Sequence, residues 1–165
     1  MKSKTLKITL LALFCALSAV GANIKIAGSI AFDSMPAFLA AMLLGGPEGA
    51  VVGALGHLLS AVLSGFPLTL PLHLCIAAEM ALICLVTGLL IRRGRWPVWL
   101  GAVLAFVLNA FVSPAILLVW PGMGWGACAA LLLPLTLASA ANVTLAAILA
   151  YALKKPLALL NRRLL

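Results

Sequence analysis

Charge is nearly missing from this chain. Only 8% of its 165 residues are charged, and just 3 are Asp or Glu. Soluble globular domains are typically about a quarter charged and about half apolar. Here 65% of the residues are hydrophobic, too many for one small core to hide while polar residues cover the outside. The deficit excludes a soluble enzyme, a nucleic-acid-binding domain and a disordered segment. The 4 cysteines, Cys15, Cys75, Cys84 and Cys128, have no paired spacing and read as small packing residues. With only 2 histidines they offer no converging metal-ligand set, so no metal, cofactor or catalytic constellation is expected. No GxxxxGK(S/T) phosphate loop occurs, so any ATP-driven work needs a partner.

Long apolar runs are abundant, with a mean hydropathy of +1.27. A spanning helix needs ~20 residues, so six take roughly 120 and leave short loops and tails. The runs fall at 6–22, 34–45, 48–64, 71–91, 98–119 and 127–153, with breaks at Gly65-Phe66-Pro67, Pro71 and Trp120-Pro121-Gly122. The pattern predicts an all-α integral membrane protein, a compact bundle of six transmembrane helices in one domain over residues 1–165. The second run is short: about twelve residues rise ~18 Å against a ~30 Å hydrocarbon core. It either extends back through Ile30–Phe32 or lies tilted and partly buried.

The net charge of +8 reads as a record of topology. Lys2, Lys4 and Lys7 precede the first run. Arg92, Arg93 and Arg95 separate the fourth and fifth, and Lys154, Lys155, Arg162 and Arg163 close the chain. Cytoplasmic segments are rich in Lys and Arg, which places both termini and the 92–95 loop inside. The Gly45–Gly49 turn is then also inside, although it carries no basic residue. Trp96 and Trp99 fall at the inner interface, Trp120 and Trp125 at the outer one. A competing reading takes the Lys-rich start, the apolar stretch and Ser18–Ala22 as a secretory signal. Its removal would leave five helices and an outward N-terminus.

Polar groups inside spans carry most of the information, because ionisable residues there usually face a cavity, a partner or a substrate path. Gly49, Gly53, His57, Ser60 and Ser64 share one helical face. The Gly49/Gly53 pair forms a GxxxG motif, so this face is either a packing seam or, at its outer end, a pocket wall. His73 and Glu79 lie on the fourth run, ~120° apart about the helix, and so do not form one tight pair. Glu79 is the one carboxylate well inside a span. It either bonds a neighbouring helix or faces a pocket. Asn109 and Ser113 share a face, with Pro114 freeing a carbonyl near Ala110. Ser139 and Asn142 share another, and Asn142 reads as a helix-to-helix bond. Asp33 suits the N-cap of the second helix with Pro36 in its first turn, and Lys25 is its nearest cation in sequence.

Several stretches carry a family resemblance. They are Ala12-Leu-Phe-Cys-Ala16, Phe32-Asp-Ser-Met-Pro36, Gly53-Ala-Leu-Gly-His-Leu-Leu-Ser60, Ser64-Gly-Phe-Pro67 and Leu70-Pro-Leu-His73. Together with size and topology they resemble the substrate-binding S component of energy-coupling-factor (ECF) vitamin transporters. The later stretches resemble a subgroup proposed to take up alpha-ribazole, a cobalamin precursor. The resemblance implies an ATP-driven importer in the plasma membrane of a prokaryote, with no nucleic-acid partner. The subunit binds a vitamin-like molecule at an outward pocket and topples to deliver it. Its partners are a transmembrane coupling subunit, docked through the AxxxA of Ala12 and Ala16, and two cytoplasmic ATPases.

An aromatic base joined to a sugar needs an apolar slot with a few convergent hydrogen-bonding groups. Phe32, Phe66, Trp120 and Trp125 are stacking candidates, although the tryptophans equally suit the interfacial belt. Asp33, His57, Ser60, His73, Glu79, Asn109 and Ser113 are the polar candidates. The rival readings are a proton-coupled carrier using Glu79 and His57, a membrane-embedded enzyme, and a structural assembly subunit. The carrier usually shows internal repeats, and none is evident.

Overall fold

The computed structural model describes residues 2–27, 30–92, 94 and 96–164. Arg93 and Arg95 of the second basic cluster lie outside the described residues, as do the side chains of Lys2, Lys25 and the C-terminal basic group. The chain runs through α1 (Lys2–Gly21), a hairpin of β1 (Lys25–Ala27) and β2 (Ile30–Ala31), α2 (Met35–Leu43), α3 (Gly46–Leu63) and α4 (Leu70–Arg92). Then come α5 (Val98–Val107), a π turn (Leu108–Val112), a 3-10 turn (Ser113–Ala115), α6 (Ile116–Val119) and α7 (Trp125–Leu164). The strands pair antiparallel, Lys25 opposite Ala31 and Ala27 opposite Ile30.

Five stretches are long and apolar enough to cross a bilayer: Lys4–Gly21, Gly46–Leu63, Leu70–Arg92, Val98–Val119 and Trp125–Leu153. Their outward faces carry Ile8, Val20, Val62, Leu82 and Leu133, all exposed, which suits lipid and not water. Of the two alternatives for the short second run, the structure shows the buried one. α2 has 9 residues, a rise of ~14 Å, and cannot cross alone. Every residue from Pro36 to Met42 is buried, so α2 plugs the centre of the bundle, packed against α1, α3, α4 and α7. Its uniform hydrophobicity reflects burial on all sides, which a short apolar run often signals. The preceding Ile30–Ala31 pairs as a strand and does not extend the helix. The last helix continues well beyond the expected end at residue 153.

The expected cap of α2 is corrected. Ser34, not Asp33, is the N-cap, and it makes no side-chain bond. The Met35 N–H instead reaches Asn142 on α7.

The small-residue face of α3 is a packing seam against three helices. A Cβ on Gly49 would meet Ala41 of α2, and one on Gly53 would stand 2.9 Å from the Met80 carbonyl of α4. One on Gly56 would stand 2.7 Å from the Ser18 hydroxyl of α1. α1 is keyed into the bundle there, with Phe14 and Ser18 buried.

At one end of the bundle, side chains from other elements reach the Gly45–Gly49 turn. Lys7 Nζ forms an ion pair with Glu48 Oε1, and the Arg92 guanidinium donates to the Leu44 carbonyl. The turn that lacks basic residues of its own therefore receives two from α1 and α4.

The fifth span is continuous but irregular. Pro114 has no N–H to offer, and its ring crowds the carbonyl one turn back. The helix responds with the π turn at Leu108–Val112 and the 3-10 turn at Ser113–Ala115. π turns inside helices occur frequently at functional sites.

Candidate functional site

A cavity of about 110 Å³ opens at the end of the bundle opposite Lys7, Glu48 and Arg92. Its polar wall is Asp33, Ser34, His57, His73, Asn109 and Ser113. Ile76, Met80, Leu117, Leu131 and Leu135 supply the principal apolar wall.

Local sequence explains how these groups arrive. Pro71 sits in the first turn of α4, where its missing N–H costs nothing. The His73 N–H closes that turn onto the Thr69 carbonyl at 3.0 Å. The loop before it holds two non-glycine residues at positive φ, Phe66 at 50° and Thr69 at 122°. Such conformations persist where surrounding structure enforces them, and they cluster at ligand sites. Here the loop carries the Leu68 N–H to His73 Nε2, at 3.5 Å. His73 Nδ1 lies 3.2 Å from His57 Nε2, so α3 and α4 are joined by two imidazoles. His73 is 2% exposed, and Phe66 meets its ring edge-on at 5.7 Å between centroids.

Asp33 stands half-buried on the opposite wall. Burial pushes its carboxyl up to about 6, against the lowering influence of the Ser60 hydroxyl and the Asp33 and Ser34 backbone N–H groups. At neutral pH it is therefore mostly a carboxylate in a poorly solvated place, which favours a ligand that brings donors.

The π turn supplies the third wall. Asn109 Nδ2 donates to Ser139 Oγ at 2.7 Å, which ties the turn to α7. Ser113 Oγ is buried and has no partner among the described residues. It faces the Glu79 carboxyl, whose Oε2 is likewise buried and unpartnered among the described residues.

The cavity thus brings together Asp33, His57, His73, Asn109 and Ser113 out of the candidate residues. Ser60, Phe66 and Glu79 stand behind it, touching Asp33, His73 and Ser113 in turn. Phe32, Trp120 and Trp125 are not on its wall. The Phe32 N–H closes the hairpin onto the Ile24 carbonyl, and Trp120 packs with Leu72, Leu117 and Cys128. Trp125 is 71% exposed at the start of α7. The apolar part of this cavity's wall is aliphatic.

Sequence reasoning missed Ile76 and Met80, which follow His73 at steps of three and four and share its helical face. That periodicity was a usable signal. The Leu68 contribution is a backbone N–H and leaves no trace in residue type. On α1, far from these walls in the chain, Ala12 and Ala16 are exposed.

A family model described as the substrate-specific component of the ECF transporter matches residues 6–154. No curated protein and no solved structure matches the chain. The matched segment runs from α1 into α7 and includes every residue of the cavity wall. This chain belongs to the family of ECF-transporter substrate-specific components.

Proposed function

We propose that this chain captures a neutral vitamin or vitamin precursor, with alpha-ribazole or a similar nucleoside-like molecule as the leading candidate, in the cavity between Asp33 and the histidine pair. Substrate-specific components work with a coupling T component and ATPases as a family property, and they bind cargo without chemical conversion. The carrying observation is the cavity, with its few convergent polar groups in an otherwise apolar wall. Its polar groups stand on several sides of an aliphatic wall, the arrangement that fixes the orientation of a small ligand.

In this reading the cavity end faces outward, and the Lys7–Glu48–Arg92 end and both termini face the cytoplasm. Ala12 and Ala16 meet the coupling subunit, and two ATPases drive the toppling that delivers cargo into a prokaryotic cell. A proton relay between Glu79 and His57 gains no support from the geometry. His57 is bonded to His73, and Glu79 faces Ser113.

Calorimetry of the purified chain in detergent, across nucleosides, benzimidazole ribosides and vitamins, tests the proposal. One ligand bound per chain for at least one nucleoside-sized member is the expected result. A folded sample that binds no member of the panel overturns it.

A further inference from the structure

We propose that the His57–His73 pair is a directional hydrogen-bond relay, anchored by the Leu68 backbone, that makes His57 a donor toward the cavity and so selects ligands with an unprotonated acceptor. The ligand half of this inference rests on the capture function proposed above. The relay half rests on geometry alone.

A neutral imidazole has one donor nitrogen and one acceptor nitrogen, and the bond made by one fixes the role of the other. The Leu68 N–H is a backbone donor and cannot reverse. It points at His73 Nε2, which must therefore accept. The proton of neutral His73 is then on Nδ1, and that nitrogen faces His57 Nε2 at 3.2 Å. His57 Nε2 accepts in turn, and the His57 proton is placed on Nδ1. His57 lines the cavity, and this Nδ1–H is the ring proton that the pair does not use. The direction of the whole chain is set by one amide in the Phe66–Thr69 loop, whose positive-φ residues shape its path.

The consequence is a rule for the ligand. Against His57 it presents a lone pair, such as a pyridine-type ring nitrogen or a carbonyl oxygen. Against the Asp33 carboxylate it presents a donor, such as a sugar hydroxyl. The aliphatic wall takes the ring body. His57 is the specificity-determining residue, and His73 is a positioning residue that acts through it. A ligand of the same shape that offers a C–H to His57 leaves a desolvated N–H unpaired, and a site built around a hydrogen bond rejects such isosteres strongly.

The chain has only 2 histidines, so imidazole-nitrogen NMR of the full protein in detergent yields four assignable signals, an Nδ1 and an Nε2 from each ring. At neutral pH both rings are expected neutral and protonated on Nδ1. A His73 ring protonated on Nε2 overturns the relay, whatever binds. The second arm compares benzimidazole riboside with indole riboside, which replaces the acceptor nitrogen by C–H and changes nothing else. The indole analogue is expected to bind roughly ten- to a hundredfold more weakly. Equal affinities overturn the selection rule while leaving the capture function standing. Binding of neither riboside overturns the ligand half, and the NMR arm still decides the relay. His73→Leu frees His57 to change tautomer, so the discrimination is expected to collapse to within about threefold. Undiminished discrimination in a folded His73→Leu protein removes His73 from the positioning role.

Discussion

The Met35 N–H, at the first position of α2, donates to Asn142 Oδ1 at 2.8 Å across the bundle. The first N–H groups of a helix have no intrahelical partner and are usually capped by the residue just before them. Here the acceptor comes from α7, more than a hundred residues away. Asn142 is fully buried, and its amide also donates to the carbonyls of Ala31 at 3.0 Å and Ala138 at 2.9 Å. One side chain therefore ties the hairpin, the central plug and the last span together beside the cavity.

Replacing Asn142 by Leu fits the volume but strands the Met35 N–H and the Ala31 carbonyl. Two buried unpaired groups cost about 2–6 kcal/mol together. A clearly lower Tm in detergent is expected, with ligand affinity falling alongside because Asp33 and Ser34 move with the start of α2. Unchanged Tm counts against this role.

Asp33→Asn separates stability from binding. Its carboxyl titrates at about 6 in the fold against an ordinary 3.8. Below about pH 4 the group is protonated folded or unfolded, and it contributes nothing to the difference. Between those values only the unfolded chain ionises, so a cost builds with rising pH and is complete above about 6. Discounted for partial exposure, it is about 1–2 kcal/mol. The variant is therefore expected to melt higher than the parent at pH 7.5, with the gap closing toward pH 4. Its ligand affinity should fall, since a carboxylate acceptor is lost. Melting curves and calorimetry at both pH values check the two signs.

The α3 seam predicts opposite outcomes for two helical glycines. A side chain at Gly53 meets the Met80 backbone, which cannot swing aside, so Gly53→Val should force α3 from α4 and abolish a stable fold. Nothing lies near a Cβ at Gly126 in α7, and Gly126→Ala should hold or raise Tm, with a gain of up to about 1 kcal/mol. Expression and Tm of the two variants provide the comparison.

Ala12 and Ala16 lie on an exposed face of α1, so a bulky replacement displaces no neighbour within the chain. Ala12→Phe and Ala16→Phe are expected to leave Tm and ligand affinity within error while preventing co-purification with the coupling subunit. Loss of ligand binding as well would assign this face to internal packing.

The long spans were legible because their hydrophobicity is continuous and their lengths match a bilayer. The same signal left 34–45 open between a tilted span and a buried segment, since a run buried by protein and a run buried by lipid look alike. Only its length of about twelve residues hinted at the plug. The histidine pair was illegible for a different reason. His57 and His73 sit on different helices 16 residues apart, and no spacing rule joins them. The Lys7–Glu48 ion pair and the Arg92 contact with Leu44 are likewise products of tertiary approach. Phe32, Phe66, Trp120 and Trp125 lie off the cavity wall, and Trp is placed by interfaces and Phe by packing as readily as by ligands. Asp33 was drawn to the cap by its position before Pro36. The cap bond was taken by Asn142 instead, which left the carboxylate for the cavity.

The π turn at Leu108–Val112 makes the fifth span one residue longer than a regular helix over the same path. The π turn underwinds the backbone and the 3-10 turn at Ser113–Ala115 overwinds it, so the side chains within these turns leave the register of an uninterrupted helix. Ser113 and Pro114, in the 3-10 turn, and Leu117 just beyond it all stand on the cavity wall. Within this span the number of residues, as much as their identity, sets the binding surface. A single-residue deletion that healed the helix would erase one wall of the cavity without altering any side chain that lines it.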